Sequence, residues 1–151
     1  MKIHKIEAAQ RQLDTAIDLF FSEGDHQCAV IALAAASEEV LGNYLDGVWI
    51  EDNKDNMFYR MHAASINRGL EFKNKKEFSQ KLVNVTKNSL KHASTEEEQY
   101  VSFNEEEMVI RLMLALMNFQ VGAGRPFSAP MIRFETWLRE NRAHYLGPKD
   151  A

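Results

Sequence analysis

Proline and glycine are scarce in this sequence, three and seven of 151 residues, which excludes a fibrous Gly/Pro repeat or a low-complexity chain. Long windows are left free of helix breakers. Cysteine occurs once, at Cys28, so no internal disulfide can form, and the usage fits a reducing compartment. The apolar run Cys28–Ala36 around it predicts a buried thiol. Long hydrophobic stretches are also missing. None approaches the roughly 20 residues of a membrane-spanning helix, and Met1–Glu7 turns polar before an apolar leader core develops. The expectation is a cytoplasmic protein with no signal peptide and no membrane partner.

Hydrophobic residues make up 45% of the chain and charged residues 26%, which is ordinary globular usage. A chain of this length can bury about two thirds of its unfolded surface, and no repeat or linker divides it, so residues 1–151 read as one domain. The apolar spacing is helical. Ile6, Ala9, Leu13, Ala16, Ile17 and Phe20 recur at threes and fours, which predicts a helix from His4 to Phe21, broken by Gly24. Asp25 is the expected N-cap of a second helix running to about Val48. Because Cys28–Ala36 is apolar on every side, that helix is the expected axis of the bundle.

Glu51–Asn56 reads as a polar loop, followed by two helices over roughly 57–70 and 78–90 with a joint at Lys73–Lys76. Residues 94–103 read as a loop. Asn104 and the acids Glu105–Glu107 mark a helix start, and Gly122, Gly124 and Pro126 its end. Pro130 suits the first turn of a last helix with Met131, Phe134, Trp137 and Leu138 on its buried face, stopped at Gly147-Pro148. The fold class is therefore all-α: an up-and-down helical bundle with about five to six helices around an apolar second helix.

Charge is distributed unevenly. The net charge is −4, yet from Arg60 to His92 eight cations stand against Glu71 and Glu77. Such segregation creates a local positive field for a polyanion, although a solvated lysine-rich surface would look the same. Within this segment lies Lys87-Asn88-Ser89-Leu90-Lys91-His92. On a helix, Asn88 and His92 share one face and Lys87 and Lys91 form an adjacent pair. An imidazole that exchanges protons near neutral pH, beside ammonium groups that hold phosphate, supplies the parts for metal-free RNA cleavage by the 2′-hydroxyl.

This string resembles the motif of the HEPN proteins, helical-bundle domains of prokaryotic toxin and defence systems. They carry an Arg, usually followed by a polar residue such as Asn, and a His four to six residues after the Arg. Lys87, Asn88 and His92 match the spacing with Lys in place of Arg, a point charge where the family has a bidentate fork. The resemblance implies an RNA-binding or metal-independent ribonuclease domain of a toxin-antitoxin or defence type, acting as a homodimer without a cofactor. Lys87, Asn88 and His92 would be catalytic, and Lys91, Arg60 and Lys81 would bind substrate. RNA and a protein partner or antitoxin are the implied partners. Arg139 to His144 also satisfies Arg-x4-His, but Glu140 beside the Arg repels phosphate.

The alternative is a non-catalytic helical protein-interaction module, using Phe127, Met131, Trp137 and Tyr145 as an apolar contact stripe. His92 would then be a residue at a helix C-terminus, complementing the dipole. Glu38 and Glu39 follow the apolar centre of the second helix: either one faces inward and Glu38 orients a basic residue or histidine at a site, or, as the commoner arrangement, both sit at the bundle surface or bond a neighbouring helix. No metal is expected: Glu23-x-x-His26 is a single string interrupted by Gly24, and two such strings plus further carboxylates make a bundle di-metal site. No zinc quartet, phosphate-binding glycine loop or nucleophile elbow occurs.

Overall fold

A computed structural model describes residues 1–44, Tyr100 and residues 105–141. The described residues form four α-helices and no strand: α1 (Lys5–Phe21), α2 (Gln27–Gly42), α3 (Glu105–Gly122) and α4 (Ala129–Glu140). The two helices expected near 57–70 and 78–90, and the 94–103 loop apart from the exposed Tyr100, lie outside the described residues.

The periodicity of α1 translates directly into burial. Ala9, Leu13, Ala16 and Ile17 are fully enclosed, and Ile6 and Phe20 lean on the same core from its edge. The helix starts where His4 accepts the Ile6 N–H at Nδ1, 3.1 Å away, satisfying one of the first-turn donors that have no intrahelical partner. It stops at Phe21, and Gly24 turns the chain at a φ of +116°. A Cβ there would come within 3.0 Å of the His26 ring, so the turn requires glycine.

α2 begins differently from the expectation. His26, not Asp25, is the N-cap, and it makes no capping hydrogen bond; its Nε2 lies 2.9 Å from the Glu23 carbonyl oxygen, which ties the ring into the turn. The helix also ends at Gly42 rather than near Val48. Asn43 and Tyr44 donate their N–H groups to Val40 and Leu41, three residues back, so the last turn tightens instead of continuing. α2 packs closely against both α1 and α3, with Val30, Ile31, Ala34 and Leu41 turned inward. Cys28 is exposed, together with Ala29 and Ala32 on the same helix, so the thiol is not buried as its apolar neighbours implied.

α3 is the most enclosed of the four described helices. Every residue from Arg111 to Phe119 is buried, and three acids occupy its first turn at the positive end of the dipole. Its end at Gly122 leads through Gly124, at a φ of +63°, into α4. There Ser128 is the N-cap, with Pro130 in the first turn. Met131, Phe134 and Leu138 are buried, whereas Trp137 is half-buried beside Phe20 and Phe134. α4 closes at Glu140, earlier than the Gly147-Pro148 stop, because Asn141 donates Nδ2 to the Trp137 carbonyl oxygen at 2.8 Å and caps the last turn. All four helices contribute to one hydrophobic core. No helix among the described residues is long and apolar enough to cross a membrane.

Candidate functional site

Lys87, Asn88 and His92, with Lys91, Arg60 and Lys81, lie outside the described residues. What the described residues establish is the helical framework on either side of them in the chain. α2 ends before this stretch and α3 begins after it. A polar layer sets how those two helices meet.

The layer is built from Ser37 and Glu38 on α2 and from Arg111 and Asn118 on α3. Arg111 interrupts an apolar run and would be costly to bury without partners. Its Nη1 donates to Glu38 Oε2 at 3.4 Å, the guanidinium side chain being 2% exposed and the carboxylate 13%. Seven residues on, two helical turns along the same face of α3, Asn118 donates Nδ2 to the Glu38 carbonyl oxygen at 3.0 Å. Glu38 is thus held by side chain and backbone from one partner helix. Ser37 completes the layer by donating its hydroxyl to the Ala9 carbonyl oxygen of α1 at 2.8 Å. Burial pulls the Arg111 guanidinium below its ordinary pKa, and the negative charges of Glu38 and then Glu39 oppose that shift.

Chemically, this layer orients α2 against α3. Arg111 is as enclosed as the apolar core around it, so its fork is committed inside the protein. Of the two sequence readings of Glu38, the bond to a neighbouring helix is the one observed, since Arg111 lies on α3. The partner itself is not legible in the sequence, since Arg111 is 73 positions away and reads as a simple interruption of α3.

A second polar joint fastens α4 to α1. Ser128 donates its hydroxyl to Asp14 Oδ1 at 2.5 Å while accepting the Met131 N–H at 3.5 Å, and Arg125 donates to Gln10 Oε1 at 3.1 Å. Burial raises the Asp14 carboxyl above its ordinary pKa; hydrogen bonds from Ser128 and Gln10 oppose the rise, and the nearby charge of Asp18 adds to it.

The second motif copy is only partly described, because His144 lies outside. Its Arg139 is exposed, and Nε and Nη2 both donate to Glu135 Oε1, at 3.2 and 2.6 Å. A phosphate would have to displace that carboxylate as well as tolerate Glu140.

The apolar contact stripe is changed more. Met131 is fully buried, and Phe127 and Trp137 are half-buried against the core, so these three are largely core residues. Tyr145 lies outside the described residues. Among the described residues, no group of three His, Cys, Asp or Glu side chains is placed to hold a metal ion. No family model, curated protein or solved structure matches the chain.

Proposed function

We propose that this protein is a HEPN-like domain that binds RNA and cleaves it without a metal, through Lys87, Asn88 and His92. The observation that carries the reading is the coincidence of this string with the cationic stretch from Arg60 to His92 in an otherwise acidic chain. Polyanion attraction and proton transfer are thereby assigned to one segment. The all-helical class of the described residues is the class that the family resemblance implies. The Glu135 contact of Arg139 favours the first motif copy over the second.

In this reading Lys87 and Lys91 hold the phosphodiester, with Arg60 and Lys81 extending the cationic track. Asn88 orients the reacting phosphate. His92 takes the proton from the 2′-hydroxyl as that oxygen attacks the adjacent phosphorus; the P–O5′ bond breaks and the departing 5′-oxygen is protonated by the imidazolium or by water, giving a 2′,3′-cyclic phosphate and a 5′-hydroxyl. A homodimer would bring two motif copies to one cleft and double the local positive charge. A toxin or defence role, with a protein antitoxin as partner, belongs to the same proposal.

RNA binding is testable apart from cleavage. Fluorescence polarisation with a labelled single-stranded RNA should show affinity that falls with salt, at a slope of about −0.7 per phosphate contact. Lys87→Gln with Lys91→Gln should weaken binding and flatten that slope. Affinity and slope equal to wild type in the double variant would refute the assignment of these lysines. No affinity at low salt would instead favour a protein-interaction module.

A further inference from the structure

We draw no further inference here: the strongest candidate, the half-buried aromatic face of Phe20, Phe21 and Trp137 where the end of α1 meets α4, with Arg133 4.1 Å from the centre of the Phe21 ring, is an apolar surface for which nothing in the structure shows what covers it.

Discussion

Arg111 and Glu38 form a buried ion pair across α2 and α3, and Asn118 holds the backbone carbonyl of the same glutamate. Such a pair counts mainly by comparison with its own broken halves, because removing Glu38 takes away the larger of the negative charges facing the buried Arg111 guanidinium, with Glu39 the smaller one. Arg111→Ala and Glu38→Ala should each lower the unfolding free energy, by less than the roughly 3–5 kcal/mol of a fully buried pair, because Glu38 is partly exposed and Glu39 also faces Arg111. The double variant Glu38→Leu with Arg111→Met should cost clearly less than the sum. Urea denaturation checks both statements, and strict additivity would show that the two side chains are energetically independent.

The joint between α1 and α4 carries a pH dependence of defined sign. Asp14 has a folded-state pKa above the ordinary carboxylate value of 3.8, burial being the main cause, so the folded chain holds this proton more tightly than the unfolded chain. Its stabilising contribution is therefore present below the unfolded pKa and lost as pH rises through the raised folded value. Asp14→Asn keeps an acceptor for Ser128 and removes the charge. The variant should be more stable than wild type at pH 7, by less than about 1 kcal/mol because the site is only half-buried and water screens it. The difference should shrink as pH falls into the carboxylate range. Thermal melts across that range decide, and a difference that does not change with pH would count against the argument.

Two glycines with positive φ should respond differently to substitution. At Gly24 the backbone conformation and the His26 ring both resist a Cβ, so Gly24→Ala should cost about 1–3 kcal/mol. At Gly124 the φ of +63° is left-handed helical, and no atom lies within 4 Å of the Cβ position. Gly124→Asn should therefore cost less than about 1 kcal/mol, since asparagine enters this region more readily than other side chains. Equal losses at the two positions would mean that neither the φ of +116° nor the His26 contact adds to the cost at Gly24.

Legibility in the sequence followed the strength of each local signal. The one-sided spacing of α1 and the Gly122 and Pro130 punctuation around α4 located helices well, because each has a direct backbone consequence. α2 was harder. An all-round apolar run carries no information about which edge faces inward, and Cys28 falls on the exposed edge. Its C-terminus is obscured in the sequence because Leu45 and Val48 extend the apolar pattern past Gly42-Asn43, although that pair is itself a stop signal. Asp25 has the carboxylate of a capping residue, but after the tight turn at Gly24 it is His26 that takes the N-cap position. The place of Glu38 after the apolar run leaves both an orienting role and a bond to a neighbouring helix open, and a partner 73 positions away has no local signature. The proposed site residues rest on sequence reasoning, since all six lie outside the described residues.

The central claim is that His92 acts in metal-free RNA cleavage, and the most direct measurement is incubation of labelled RNA with purified protein in excess EDTA, wild type beside His92→Ala. The proposal predicts cleavage by wild type with 2′,3′-cyclic phosphate ends, and a loss of at least about 100-fold in the variant, the lower end of what a positioned acid or base contributes. Absence of cleavage by wild type, or equal cleavage by His92→Ala of confirmed fold, would contradict it.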